Sequence, residues 1–174
     1  MNELRAEAVL TMPNVVDAVR AVPGLRDRLA CGIDVLDVGR DGGESMVALA
    51  AAFPRSRFLG IAPDAATVAR ARRRTIERRL RNAYWVTLAA HQLAPLPTYD
   101  LVCVFAGLLD TAEPRAAMRA IHAAIAADGV ALWSEPRAAD HHGGVRALAS
   151  ETGFARIEPL TVDDALHRFF VLRK

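Results

Sequence analysis

Ile33-Asp34-Val35-Leu36-Asp37-Val38-Gly39-Arg40-Asp41-Gly42-Gly43-Glu44-Ser45 runs from a short apolar stretch through an acidic residue and a glycine-rich turn into a helix-forming segment. Strand, glycine turn and helix in that order build a nucleotide-type site. Glycines let backbone approach a ligand closely, and the helix N-terminus offers N–H groups without intrahelical partners. The fold depends on whether the residues on either side repeat this alternation.

They do. Upstream, residues 1–31 have helical spacing, with Val15, Val16, Val19 and Val22 on one face and a break at Pro23-Gly24. This segment either closes over a ligand as a flap or packs on the sheet edge, and its apolar stripe favours packing. Downstream, the pattern predicts strands at 33–38, 57–61, 84–88, 101–105 and 130–134. Helices are expected at 45–53, 64–80 (with Asp64 as N-cap), 114–126 (with Pro114 at its first position) and 144–152. Strands at 155–160 and 167–172 end the chain, separated only by 161–165. Alternating strands and helices imply a doubly wound α/β fold with a mostly parallel seven-stranded sheet. The closing pair implies an antiparallel hairpin at one edge.

The 174 residues suit one domain, 1–174, made of an N-terminal helical segment over 1–31 and a sheet core over 32–174. A hydrophobic share of 52% and a charged share of 24% are those of a soluble globular protein, and a net charge of +2 does not point to nucleic acid. Cys31 and Cys103 form neither a disulfide framework nor a metal-ligand spacing, so a reducing cytoplasm is the expected compartment. The start, Met1 to Glu7, lacks a signal-peptide pattern, and the apolar run Ala48 to Phe53 is broken by Pro54-Arg55. No membrane partner is expected.

Asp37-Val38-Gly39-x-x-x-Gly43 resembles the first motif of class I S-adenosylmethionine (SAM) dependent methyltransferases, an acidic residue followed by Gly-x-Gly-x-Gly. The middle glycine is Asp41 here, with Gly42 one place later. Further motifs follow in the family's order: Phe53-Pro54-Arg55-Ser56-Arg57-Phe58-Leu59-Gly60, Tyr99-Asp100-Leu101-Val102, Ala127-Asp128-Gly129-Val130 and Glu135-Pro136. The resemblance covers about residues 10 to 174 and is closest to small-molecule methyltransferases. It implies a Rossmann-like fold, SAM as cofactor and methyl transfer to a small molecule of secondary metabolism.

The resemblance also implies site residues. Asp37, Gly39, Arg40, Asp41, Gly42 and Gly43 would meet the methionine end of SAM. Asp41 would add bulk and negative charge near the ligand's carboxylate, partly offset by Arg40, and weaken binding. Ala62 stands where relatives place the acid that binds the ribose, with Asp64 two residues on. His91 or Gln92 would serve the adenine amino group after Ala89-Ala90, and Ala106 lies at the end of the fourth strand. Asp110, Glu135 and His141, the last beside Asp140 and His142, are the catalytic candidates. No metal is expected, because adjacent histidines supply no recognisable ligand spacing.

Asp41, Ala62 and the Ala89-Ala90 pair depart from the family together. Two alternatives therefore stand beside methyl transfer: a SAM-independent enzyme on this fold, and a non-catalytic pseudoenzyme paired with an active subunit. A homo-oligomer is also left open. The helix carrying Arg70, Arg72, Arg73, Arg74, Arg78 and Arg79, with Arg81 after it, reads as a solvated outer face rather than an RNA or phosphate patch. His122 and His167 read as structural, and Trp85 and Trp133 as core.

Overall fold

The computed structural model describes residues 14–39, 41–96, 98–105, 108, 111–137 and 142–174. Helices α1 (Val15–Ala21) and α2 (Leu25–Cys31) lead into β1 (Asp34–Gly39). Then come α3 (Glu44–Ala52), β2 (Arg57–Ala62), α4 (Ala65–Glu77), β3 (Ala83–Thr87) and a 3₁₀ turn (Ala90–Gln92). The chain continues through β4 (Tyr99–Phe105), α5 (Pro114–Ala124), β5 (Ile125–Pro136), α6 (His142–Glu151), β6 (Arg156–Leu160) and β7 (His167–Arg173). The seven strands form one sheet in the order β3-β2-β1-β4-β5-β7-β6. The first five run parallel, and β7 is antiparallel to both β5 and β6.

Alternation along the strands divides the core between two faces. Val35, Phe58, Leu101 and Phe169 belong to the cluster that includes α1 to α4. Leu36, Val102, Trp133 and Leu172 belong to the other, with Met118 and Ile121 of α5 and Ala149 of α6. Val15, Ala18, Val19 and Val22 are all buried in the first cluster. The apolar stripe upstream of β1 is therefore spent on packing; residues 1–13 lie outside those described.

β5 begins earlier than its apolar run indicates, at Ile125 rather than Val130. Tyr99 pairs with Ile125 but Leu101 pairs with Val130, so Ala126 to Gly129 bulge out of register. A Cβ on Gly129 would stand 2.8 Å from the Tyr99 carbonyl oxygen, which is why glycine closes the bulge.

Asp164, in the turn between β6 and β7, ties that hairpin to α1. Its carboxylate accepts backbone N–H bonds from Asn14 (2.9 Å), Leu166 (2.9 Å) and His167 (2.8 Å), and lies 3.1 Å from His167 Nδ1. Burial alone would raise its pKa, but these bonds together outweigh burial and lower it. A lowered carboxylate pKa adds stability that is present above the unfolded value of about 3.9 and is lost as pH falls through the folded value. Asp164→Ala is expected to cost ~1–3 kcal/mol in urea unfolding at pH 7. The gap from wild type should shrink as pH drops below about 4.

Candidate functional site

The sheet order places β1 between β2 and β4, so successive connections diverge from β1 to opposite sides. In open α/β sheets ligands lie beyond the carboxyl ends of the strands at such a switch point. A cleft of about 270 Å³ lies there. Val38 and Gly39 end β1, Ile61 and Pro63 bracket the end of β2, and Leu88 to His91 follow β3. Leu108 and the stretch Thr111 to Glu113, with Ala117 of α5, complete the lining. Most of this lining is apolar, which suits a flat, weakly polar ligand.

The glycine turn beside the cleft is shaped largely from within the protein. Gly42 and Gly43 have φ of 72° and 82°, values that L side chains rarely adopt. A Cβ on Gly43 would fall 2.4 Å from Trp85 Cη2, and one on Gly60 would fall 2.1 Å from Trp85 Cζ3. These two glycines make room for the Trp85 indole, whose Nε1 donates to Thr75 Oγ1 at 2.9 Å. Arg74 of α4 donates to the Gly42 carbonyl at 2.6 Å and pairs with Glu44.

Asp41 is engaged within the protein. Its carboxylate turns back onto α3, where Oδ1 accepts from Gly43 N at 2.7 Å and Oδ2 from Ser45 N at 3.1 Å. A side chain in the middle-glycine position thus satisfies N–H groups of the helix N-terminus, complementing the helix dipole.

Asp37 has the opposite environment. It is 1% exposed, and neither carboxylate oxygen has a hydrogen-bond partner among the described residues. Burial, and then the negative charge of Asp41, push its pKa well above the usual carboxylate range. A Cβ on Gly39 would stand 3.1 Å from Asp37 Oδ2, so the acid lies directly behind the backbone that borders the cleft. Opposite it on β4, burial first and then Asp37 and Asp41 push the pKa of the Cys103 thiol well above its usual value.

A methyltransferase-domain family profile matches residues 36–131, over half the chain and including β1, the turn and the cleft walls. The chain belongs to the methyltransferase-domain family. No curated protein gives a significant match to the sequence. Among solved structures, the methyltransferase domain resembles the carbon methyltransferase CurJ at 13% identity (98% of this chain, 58% of that one, TM-score 0.73). It resembles the N-methyltransferase NodS from Bradyrhizobium japonicum, in complex with S-adenosyl-L-homocysteine (SAH), at 19% identity (86% and 84%, TM-score 0.63). It also resembles a TehB-like SAM-dependent methyltransferase from Corynebacterium glutamicum at 20% identity (99% and 95%, TM-score 0.63). The chain spans about half the length of two other matched structures, 51% and 46%. These likenesses establish the class I methyltransferase fold.

Within this methyltransferase domain the sequence-derived site residues separate. Gly39 and His91 line the cleft. Ala62 does not: it is 2% exposed and packed into the core, while its neighbours Ile61 and Pro63 face the ligand space. Asp64 caps α4, accepting from Thr67 N at 2.7 Å. The Gln92 side chain accepts from Ala89 N at 3.1 Å. Glu135 is buried at the end of β5, in register with Arg168 of β7. Arg40, Ala106, Asp110 and His141 lie outside the described residues.

Two cleft residues escaped the sequence reading, Thr111 and Glu113. Glu113 occupies the N-cap position of α5, yet its side chain makes no capping bond and engages no other group among the described residues. An acid directly before Pro114 reads as a helix start; its place on the border of the cleft becomes visible only in three dimensions.

The arginine-rich helix is more than a solvated face. Besides Arg74, Arg72 donates to the Trp85 carbonyl at 2.7 Å and Arg70 to Thr67 Oγ1 at 2.7 Å. The Arg72 and Arg74 bonds fasten α4 to β3 and to the glycine turn, while the Arg70 bond stays within the helix. His122 packs edge-on against Phe154, and His167 is buried beside Asp164. Among the described residues no group of three or more His, Cys, Asp or Glu could hold a metal ion, and no helix is long and apolar enough to cross a membrane.

Proposed function

We propose that this chain binds SAM and transfers its methyl group to a small molecule. The observation that carries this reading is the apolar cleft at the switch point, bordered by Gly39 and backed by the buried Asp37 carboxyl, which has no hydrogen-bond partner among the described residues. The residues present fit the cofactor. Val38, Ile61, Leu88, Leu108 and Ala117 offer apolar walls for its adenine ring. A carboxyl group behind Gly39 complements a cationic ligand tail, because a nearby opposite charge favours the ionised form of an acid.

Bound SAM supplies a methyl group already activated on a sulfonium. The chain therefore has to hold and align the reactants, exclude water and, where the acceptor needs it, take a proton. Asp110, Glu135 and His141 are the acceptor-side groups in this reading. Asp41 tunes affinity indirectly: engaged with α3, it keeps a negative charge close to Asp37. Two free thiols, Cys31 exposed and Cys103 buried, suit work in a reducing cytoplasm.

Calorimetric titration of the purified chain with SAM and SAH tests the reading. Dissociation constants of about 10 μM or tighter are expected, within the usual range for enzyme ligands. Absence of binding up to millimolar concentrations would refute cofactor use by this chain and direct attention to a partner subunit.

A further inference from the structure

A second depression, of about 350 Å³, opens along the edge of the sheet that carries the cleft, but beside β5, β6 and β7. Arg137 directly follows β5, Leu160 ends β6, and Arg168 stands near the start of β7. Pro159 pairs with Phe170, so their side chains share one face, and both line the depression with Leu160. Three arginines border this apolar surface, and no Asp or Glu is among the lining residues.

Two of the guanidinium groups are held in place. Arg137 Nε donates to the Asp164 carbonyl at 3.0 Å, which leaves its terminal nitrogens without a partner among the described residues. Arg146 reaches over from α6, with Cζ 5.9 Å from the centre of the Phe170 ring, and forms no ion pair among the described residues. Arg168 has Glu135 opposite it in the sheet. The Asp164 carboxylate is occupied by N–H groups of Asn14, Leu166 and His167. Arg137 and Arg146 therefore carry charge that no lining residue balances.

We propose that this depression binds the carboxylate of a small molecule with an apolar body. Two guanidinium groups supply charge-assisted donors to the acid, and the surface of Phe170, Pro159 and Leu160 takes the body. Resting on the SAM reading above, that molecule is the methyl acceptor. The sheet order β1-β4-β5-β7 puts two to three strand spacings, ~10–15 Å, between the cleft and the arginines. An acceptor of that length holds its acid at the arginines and its other end at the cleft, passing the end of β5.

Benzoate and benzamide share a ring and differ in charge, and inorganic phosphate is an anion without an apolar body. Each is titrated by NMR into the full chain, with and without SAH. Wild type is expected to bind benzoate about tenfold or more tightly than either of the others, since a hydrogen bond to a charged group contributes at least that factor. Arg137→Ala and Arg146→Ala, with folding checked by circular dichroism, should each weaken benzoate about fivefold or more and leave benzamide unchanged. Arg146→Lys keeps the charge and should keep part of the affinity. Arg156→Ala removes an exposed arginine of β6 outside the lining and should change nothing. An equal loss in Arg156→Ala would reveal a general effect of net charge and overturn the proposal. So would benzamide or phosphate binding as tightly as benzoate. With SAH bound, a biphenyl carrying a carboxylate at one end and a hydroxyl at the other should shift amide signals of β7 and of the cleft rim together. Shifts confined to β7 would overturn the acceptor assignment. If SAH binds and benzoate does not, the carboxylate site fails while the SAM reading stands. If benzoate binds with the expected pattern and SAH does not, the site stands, and the SAM reading falls together with the acceptor assignment.

Discussion

Trp85→Ala is expected to lower the unfolding free energy by ~3–5 kcal/mol, the cost of emptying a large buried aromatic site. The indole is 6% exposed and fills the space beside Gly43 and Gly60, linking β3, β2 and the α3 turn. Its loss also removes the donor to Thr75 Oγ1. Urea unfolding followed by circular dichroism measures the change. A loss below about 1 kcal/mol would mean that the neighbours collapse into the space, contrary to the packing described.

A second substitution separates the indole's volume from other effects. Gly60→Ala places a methyl group within 2.1 Å of the ring, so in wild type it should be strongly destabilising. In the Trp85→Ala background the methyl group has room, and most of its cost should disappear. The two sites would then show a coupling of ~0.5–3 kcal/mol in a double-mutant cycle. Strict additivity would show that Gly60 is needed for some reason other than the indole.

Asp37→Asn is expected to stabilise the unliganded protein at neutral pH and to weaken its hold on SAM. The sign follows from linkage. Burial and the Asp41 charge raise the folded-state pKa of Asp37 above the unfolded value. Between the two values the folded state holds more protons than the unfolded one, so stability falls as pH rises through that window. The asparagine has nearly the same shape and no such titration. At pH 7 the variant should be more stable by ~1–3 kcal/mol, and the advantage should vanish below about pH 4, where the acid is protonated in both states. Unfolding curves across pH 3 to 8 measure this, and a pH-independent difference would count against it. In the same variant SAM affinity should drop about tenfold or more, since a buried carboxylate meeting a cation contributes more than a neutral amide. Stability gained with binding lost would mark Asp37 as a group held in an unfavourable setting for the ligand's sake.

Much of the architecture was legible in the linear chain. The short apolar runs at 33–38, 57–61 and 101–105 and the helical spacing between them led to the strands and helices observed. The short 161–165 connection led to the closing antiparallel pair. β5 was read as starting late because Ala127-Asp128-Gly129 has the composition of a turn; in the sheet it is a bulge, set by pairing with β4. The site was less legible. Ala62 holds a position where an acid is expected, but whether a side chain there faces the core or the cleft depends on its neighbours. That the Asp41 carboxylate bonds to the head of α3 could not be read from the motif.

The sequence by itself determined the order of strands and helices, the turn at Gly39 to Gly43 and the family, because these rest on local periodicity and on motifs read within a few residues. Only the tertiary structure decided that Gly43 and Gly60 house Trp85, that Arg74 fastens the turn, that Asp37 is buried without a hydrogen-bond partner among the described residues, and that Thr111 and Glu113 border the cleft. Each of these facts joins residues from different strands and helices, or measures how deeply a group is enclosed. Such properties follow from the placement of β1 between β2 and β4 and from the packing of helices on both faces, not from spacing along the chain.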